Sequence, residues 1–125
     1  MGRYVDGFVL VVPKKKLKLY RKMAEGGGKL WKKHGALEYY ECIGDDLNPK
    51  MPGVKLLTFP RLTKAKAGET VFFSFIVYRS KAHRNSVNKK VMKDPAMNDP
   101  AWKDMAMPFD PKRMAYGGFK TIVKF

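Results

Sequence analysis

Two stretches of the chain, Tyr4 to Val12 and Thr70 to Tyr78, are rich in β-branched and aromatic residues at consecutive positions. This composition favours strands over helices, and Pro13 ends the first stretch. Side chains alternate between the two faces of a sheet, so a strand that is apolar throughout presents apolar residues to both faces. In the second stretch Phe73 and Phe75 fall on one face and the intervening residues on the other. Both faces of the predicted sheet therefore need to be covered.

Two further segments have the apolar spacing of amphipathic helices and carry signals for their ends. Gly35 is a natural stop for the first helix, Ser80 can cap the second, and Asp94-Pro95 ends it. The predicted strands and helices, in chain order, are Tyr4 to Val12, Leu17 to His34, Ala36 to Ile43, Thr70 to Tyr78, Ser80 to about Lys93 and Met114 to Phe125. The order β-α-β-β-α-β predicts an α+β, ferredoxin-like fold, in which a four-stranded antiparallel sheet carries both helices on one face.

Two helices can cover only one face of such a sheet. At 125 residues the chain is expected to form one domain with one core. A large exposed apolar patch is rare on a soluble monomer, so we expect another copy of the chain to cover the second face. The sequence therefore predicts a homodimer.

The connecting segments contain turn-forming and helix-breaking residues. Gly26 to Gly28 lie inside the first helix, where each glycine costs about 1 kcal/mol relative to alanine, so propensity alone predicts a break. A phosphate cradle is the weaker interpretation of these glycines, because no strand leads into them, and close packing of the helix explains them equally well. Val54 to Phe59 is predicted to form a short extended arm. Four prolines and several apolar side chains predict that Asp94 to Pro111 is an ordered covering loop.

Charge and cysteine content limit the classes of function. The formal net charge is +15, and 20 of the 26 basic residues are lysines. Lysines favour a solvated surface, whereas proteins that read bases tend to use arginine forks, so nucleic-acid binding is possible but not favoured. With one cysteine and two histidines the chain cannot form an internal disulfide or a zinc-ligand set, and we expect no metal or cofactor. The absence of a long apolar run or a secretory signal predicts a cytoplasmic protein away from the membrane.

Histidines provide the first candidates for a site. His83 lies early in the second helix with Arg84 and Asn88, and these residues could line an edge of a cavity in the dimer. A lone histidine is also commonly structural, and that alternative stays open. His34 stands beside Gly35 at the end of the first helix, which is typical of a capping or packing residue.

Three acids lie within apolar strands: Asp6, Glu38 and Glu41. Burial would raise their pKa values unless a cation is close, which makes them acid–base candidates, and a salt bridge to a lysine is the alternative. By alternation Glu38 shares a face with Tyr40 and Cys42. Cys42 has no evident activating base and is expected to be an inert, buried thiol.

An apolar pocket beside the sheet would draw its lining from several of these elements. Trp102 in the covering loop could close such a pocket or simply anchor the loop. The candidate ligand-binding residues are His83, Glu38, Tyr40, Asn88 and Trp102.

Four stretches of the sequence carry a resemblance to a known family. They are YVDGF at 4–8, HGALEYYECIGDD at 34–46, GETVFFSFIVYRSKAHRNSVNKKVMKD at 68–94 and MPFDPKRMAYGGF at 107–119. In this order they resemble the YbaA-like family of bacterial domains of unknown function. The resemblance implies membership of the dimeric α/β-barrel superfamily, in which two ferredoxin-like sheets pack face to face. The glycines and lysines of the first helix depart from the family pattern.

Three functional hypotheses follow. The leading one is a dimeric barrel that binds an apolar or aromatic metabolite in a pocket between the sheet and the covering loop. The second is a cofactor-independent monooxygenase-like enzyme, which the resemblance to the superfamily implies by analogy of fold. The third is nonspecific nucleic-acid binding through the lysine-rich surface, which would weaken steeply with salt.

Overall fold

A computed structural model describes residues 2–103 and 106–125, and within these residues it contains four strands and four α-helices. The strands are β1 (Tyr4–Pro13), β2 (Glu38–Ile43), β3 (Glu69–Tyr78) and β4 (Ala115–Lys120). The helices are α1 (Leu17–Lys33), α2 (Phe59–Thr63), α3 (Lys81–Lys93) and α4 (Pro100–Lys103), and short 3-10 turns occupy Lys14–Lys16, Pro95–Asn98 and Pro111–Arg113. None of the helices in these residues is long and apolar enough to cross a membrane.

The four strands form one antiparallel sheet in the order β2-β3-β1-β4. β1 and β3 are the central pair, and their register runs from Tyr4 opposite Tyr78 to Pro13 opposite Glu69. This order, with α1 between β1 and β2 and α3 between β3 and β4, is the ferredoxin-like arrangement. The predicted fold class is therefore confirmed.

The main core lies between the sheet and the two long helices. Alternation directs Leu10 and Val12 of β1 and Phe72 of β3 toward Tyr20 and Ala24 of α1. A second cluster lies beneath α3 and contains Ala36, Ile76, Tyr78, Val87 and Val91. Val87 and Val91, which lie four residues apart on α3, are fully buried.

The helix α1 is continuous through its three glycines, so the break expected from propensity does not occur. The ring of Tyr39 on β2 lies directly against this part of the helix. A Cβ on Gly28 would lie 3.0 Å from Tyr39 Cδ1, and a Cβ on Gly27 would lie 3.0 Å from the Tyr39 hydroxyl oxygen. The glycines allow α1 and Tyr39 to approach each other closely, in agreement with the packing interpretation.

The ends of both long helices follow the sequence signals. His34 is the C-cap of α1, and Gly35 follows it with φ +111°, a conformation that L side chains rarely adopt. His34 Nε2 lies 2.7 Å from Asp94 Oδ2, so this histidine joins the end of α1 to the end of α3. At the start of α3 the Ser80 hydroxyl accepts a hydrogen bond from the His83 backbone N–H.

The segment between β2 and β3 differs from the predicted extended arm. Only an isolated bridge between Met51 and Val54 is extended, and α2 begins at Phe59. Thr58 caps this helix and Pro60 occupies its first turn, a start signal that the sequence analysis did not use. The Phe59 ring packs edge-on against Phe73, with the ring centroids 6.2 Å apart. α2 therefore contacts the sheet on the face opposite α1 and α3.

Most of this second face is not covered by α1 or α3, and we call it the open face. Tyr40, Phe73 and Phe119 on it are 46%, 48% and 64% exposed, and Phe75 stacks on Tyr40 with a centroid distance of 4.8 Å. Cys42 is also exposed here, so the expectation of a buried thiol is wrong. The open face consists of Val5, Gly7, Val9, Glu38, Tyr40, Cys42, Phe73, Phe75, Val77, Ala115, Gly117 and Phe119. Glu38 is its one charged residue.

The segment 95–114 packs along the helix side of the sheet in its described part, as expected of a covering loop. Each Asp-Pro pair forms a turn in which the aspartate carboxylate accepts the backbone N–H two residues on, at Asp94, Asp99 and Asp110. Phe109 and Met114 contact the core cluster around Tyr20. The segment is anchored by local turns and by apolar contacts.

Candidate functional site

A cavity of about 470 Å³ lies between the helix side of the sheet, α1 and the segment 95–114. Its position agrees with the pocket predicted between the sheet and the covering loop. Gly26 and Gly27 border it, so α1 adds no side chains at these two positions. The apolar and aromatic residues that line it include Phe8, Leu10, Tyr20, Met23, Leu30, Trp31, Tyr39, Ile76, Met97, Phe109 and Met114.

One carboxylate, that of Glu41, lines the cavity and accepts hydrogen bonds from three hydroxyl groups. The Tyr20 hydroxyl donates to Oε1 at 2.8 Å, and the Ser74 hydroxyl donates to the same oxygen at 2.5 Å. The Tyr39 hydroxyl donates to Oε2 at 3.0 Å. Glu41 and Ser74 are cross-strand partners on β2 and β3, and Tyr20 reaches them from α1. The carboxylate is thus fixed by three different elements.

The electrostatics of this cluster keep its tyrosines protonated. Burial, and next the negative charge of Glu41, raise the pKa values of Tyr20 and Tyr39 well above their usual range. Glu41 forms no ion pair with any side chain that the structure describes. The cluster therefore offers a carboxylate that is stabilised by hydroxyl donors alone.

A second polar cluster lies on the same side of the sheet, around Asp6. Asp6 is 1% exposed, and its Oδ1 lies 3.7 Å from Arg84 Nε. Burial raises the pKa of Asp6, and the positive charge of Arg84 acts against this shift. Arg84 also donates to the hydroxyls of Tyr4 and Tyr116, at 3.1 Å and 3.4 Å. The cation beside this buried acid is an arginine, not one of the lysines considered in the sequence analysis.

The structure brings only part of the predicted ligand-binding set to the cavity. Tyr40 borders it, although its ring stacks on Phe75 of the open face. Asn88 lies behind the cavity wall, where its Oδ1 accepts a hydrogen bond from Trp31 Nε1 at 3.1 Å. Glu38 is exposed on the open face, away from Glu41.

The remaining two candidates lie elsewhere. His83 is near the start of α3, where its Nδ1 accepts the Arg79 backbone N–H at 3.0 Å, and it does not line the cavity. Burial, and next the charge of Arg79, lower the pKa of His83. Trp102 belongs to α4, but its side chain lies outside the described residues. The roles proposed for these residues in ligand binding stay predictions.

Sequence reasoning named Glu41 as an acid in a strand but did not select it for the site. Alternation alone places Glu41 and Glu38 on opposite faces, and it does not tell which face meets the helices. The sequence contained one signal for this face. Asp6 and Leu10 lie on the same face of β1, so an acid on the helix side of the sheet could have been expected. Tyr20, Tyr39 and Ser74 carried no signal, since hydroxyl residues occur in many strands and helices.

The helix layer, formed by α1 and α3, carries many exposed basic residues. The outer surfaces of α1 and α3 carry the exposed basic residues Lys18, Arg21, Lys22, Lys29, Lys32, Lys33, Lys81, Lys89, Lys90 and Lys93. Glu25 is the one acid in these two helices, and it pairs with Arg21 at 3.2 Å. Among the described residues there is no cluster of three or more histidine, cysteine, aspartate or glutamate side chains suited to a metal ion. The nucleic-acid hypothesis stays a prediction.

The chain is similar to known proteins both in sequence and in structure. The chain is 44% identical over 121 residues to the uncharacterized protein YbaA of Escherichia coli K12, and to that of Shigella flexneri, covering 97% of each protein. Its structure is similar to the crystal structure of a dimeric ferredoxin-like protein from an uncultured marine organism, with a TM-score of 0.63, 9% identity and full coverage of both chains.

At this identity the structural likeness shows the fold alone. A family model described as "Protein of unknown function (DUF1428)" matches residues 3–111. Together with the YbaA relatives, this match spans the motifs that carry the resemblance seen in the sequence. The chain therefore belongs to the DUF1428, or YbaA-like, family of proteins of unknown function.

Proposed function

We propose that this protein binds a small apolar or aromatic molecule in the cavity between the sheet, α1 and the segment 95–114. The observation that carries the proposal is the cavity itself, whose volume of about 470 Å³ lies in the range of small-molecule sites. Such sites combine apolar walls with a few polar groups that fix the orientation of the ligand. Here the Glu41 cluster is that polar group.

The cavity is open to the solvent on one side and is larger than the gaps that side-chain packing normally leaves. Protein interiors are packed as densely as organic crystals and contain few voids larger than a water molecule. Larger side chains at Gly26 or Ala24, which both border the cavity, would fill it without changing the strands. The small residues leave room for a ligand at a cost in packing, which supports a binding role.

The test uses the neutral fluorescent probe N-phenyl-1-naphthylamine, together with native mass spectrometry of freshly purified protein. We expect saturable binding of the probe, or a retained molecule of defined mass. Gly26→Leu places a side chain at the cavity wall and should abolish binding while the circular dichroism spectrum is retained. Lys22→Leu, on the exposed side of the same helix, is the matched control and should bind normally.

The cavity has no role in ligand binding if neither method detects a bound molecule in the wild-type protein. Equal probe binding by wild-type protein and Gly26→Leu would place the bound probe elsewhere, for example on the open face, and would also contradict the proposal.

We also infer that two copies pack through their open faces. Twelve residues of the open face include one charge, in a chain of which 30% of the residues are charged. Exposed aromatic residues without neighbouring charges are typical of the core of an interface between subunits. The structurally similar protein from the uncultured marine organism is described as dimeric, which supports a dimer here.

A further inference from the structure

Building on the proposed ligand cavity, we infer that its ligand carries a protonated amine on an aromatic or apolar body, and that Glu41 receives the amine. The hydrogen bonds of Glu41, the charges around the cavity and the aromatic residues of its walls all favour a ligand of this class.

The hydrogen bonds of Glu41 leave room for one more donor. A carboxylate offers about four lone-pair positions to donors. Oε1 is occupied twice, by Tyr20 and Ser74, whereas Oε2 accepts only the Tyr39 hydroxyl. The remaining position belongs to Oε2, on a side chain that lines the cavity. A donor on a bound ligand can complete the set.

The charges around the cavity favour a cationic donor. Among the described residues that line the cavity, Glu41 is the one with an acidic or basic side chain. No described side chain forms an ion pair with Glu41, although the chain has 26 basic residues. The lysines of α1 and α3 face the solvent, where salt screens the interactions of charges that are more than about 8 Å apart. An ammonium group on a bound ligand would therefore form an ion pair with this carboxylate, and a carboxylate on the ligand would be repelled.

The walls suit the same ligand. Trp31, Tyr20, Tyr39 and Phe8 present aromatic rings to the cavity, and aromatic faces attract cations as well as apolar groups. Tyr20 and Tyr39 also bond to Glu41, so aromatic surface and negative charge lie side by side. An amine of an aryl-alkyl type would use both features.

The test is a competition experiment with three naphthalene compounds of similar size. They are 1-naphthylmethylamine, which is protonated at pH 7, neutral 1-ethylnaphthalene, and anionic 1-naphthylacetate. The displacement of N-phenyl-1-naphthylamine from the protein by each compound is measured in buffer with physiological salt. In wild-type protein we expect the amine to bind about tenfold or more tightly than the neutral compound, because a charge-assisted hydrogen bond is added. The anion should bind most weakly.

Two variants with the same change of charge assign this preference to one residue. Glu41→Gln should remove the preference for the amine and retain binding of the probe and of 1-ethylnaphthalene. Glu38→Gln, three residues away on the opposite face of β2, should keep the wild-type preference.

The outcomes separate the two proposals. If all variants bind the probe but wild-type protein does not prefer the amine, the cavity binds ligands and the role of Glu41 is wrong. If Glu38→Gln loses the preference as well, the effect comes from net charge and the inference is again wrong. If the wild-type protein binds none of the compounds, the proposed function fails, and the inference fails with it.

If Glu41→Gln does not fold, Tyr39→Phe replaces it in the experiment. This variant removes one hydrogen-bond donor to Glu41, so the carboxylate should keep or increase its preference for the amine. A lost preference would contradict the inference.

Discussion

Single side chains hold the helix layer together at its ends. Asp94 is the clearest case, since its carboxylate receives the Ala96 backbone N–H and lies 2.7 Å from His34 and 3.0 Å from Lys33. These contacts join the C-terminus of α1 to that of α3. The Ala96 hydrogen bond first, and then His34 and Lys33, hold the pKa of Asp94 well below its ordinary value of 3.8.

The lowered pKa of Asp94 predicts a loss of stability in acid. A carboxyl group with a lower pKa in the folded than in the unfolded state stabilises the fold above its unfolded pKa, and this contribution disappears as the pH falls through its folded pKa. Asp94→Asn should therefore lower the free energy of unfolding at pH 7 and make its decline below about pH 4 less steep. Urea unfolding at a series of pH values measures both effects.

The free energy of unfolding of Asp94→Asn should still decline in acid, because a second carboxylate has a lowered pKa. Arg113, with the Lys66 backbone N–H, lowers the pKa of Glu69 to about 2, so Glu69 contributes in the same range of pH and is unchanged in the variant. Asp99→Asn is the matched control, because Asp99 forms the same Asp-Pro turn without an ion pair in the described structure. An Asp94→Asn protein with the wild-type pH dependence would rule out this role for Asp94.

At the scale of elements, α1 shows tertiary packing overriding helix propensity. Its glycines are unfavourable in an isolated helix, yet Tyr39 occupies the space that side chains would need. Tyr39 is itself held by Glu41, so its ring cannot move away freely. The glycines, the tyrosine and the carboxylate thus form one structural unit between α1 and β2.

This unit predicts opposite effects for two alanine substitutions in the same helix. Gly26→Ala adds a methyl group at the edge of the cavity and should stabilise the protein by up to about 1 kcal/mol, through helix propensity. Gly28→Ala gains the same propensity but places its Cβ 3.0 Å from the Tyr39 ring, and it should destabilise the protein. Chemical denaturation of the two variants measures the difference.

The contact with Tyr39 is isolated by a double-mutant cycle with Tyr39→Leu. The cost of Gly28→Ala should shrink or reverse when the ring is absent. If Gly28→Ala stabilises the wild-type protein as much as Gly26→Ala does, the close approach of Tyr39 is not what retains the glycine.

At the scale of the whole molecule, the basic surface of α1 and α3 and the apolar open face lie on opposite sides of the sheet. The basic residues of α1 and α3 cover the helix layer, and the open face carries only Glu38. Packing the open faces of two copies together would bury their aromatic residues. The basic helix layers of the two copies would then lie on the outer sides of the dimer, far apart. The positive charge of α1 and α3 therefore does not oppose this mode of association.

The dimer is tested by one charge placed on the open face. Phe119, which is 64% exposed on β4, should contribute to the apolar contact between copies. Phe119→Lys should convert a wild-type dimer into a monomer, or weaken it at least about tenfold, because an unpaired charge in an apolar interface is costly. Size-exclusion chromatography with light scattering measures the mass across a range of protein concentrations.

Met92→Lys is the control for Phe119→Lys, because Met92 is 57% exposed on α3, in the helix layer. This variant should remain a dimer. A monomeric wild-type protein at micromolar concentration would contradict the dimer, and a dimer disrupted by Met92→Lys but not by Phe119→Lys would place the interface on the helix side.

The elements were largely predictable because local signals mark them. Runs of β-branched and aromatic residues identified the two central strands, and Ser80, Gly35 and Asp94-Pro95 marked helix ends within a residue or two of those observed. The exception is α2, because a helix of five residues is too short to show a helical repeat of apolar positions. Its start signal, Thr58 followed by Pro60, was not supported by any such repeat. Short elements depend on the surface they pack against.

The sequence by itself determined the order of strands and helices, the presence of two apolar sheet faces and the family. These properties depend on the period of neighbouring residues, which is local information. The tertiary structure alone decided that Glu41 and not Glu38 faces the cavity, and that Tyr20 and Ser74 meet it. It also decided that Asp6 lies beside Arg84 and that Tyr39 fills the space beside Gly28. These contacts join residues distant in the chain, and which face of a strand meets a helix is set only when the layers pack.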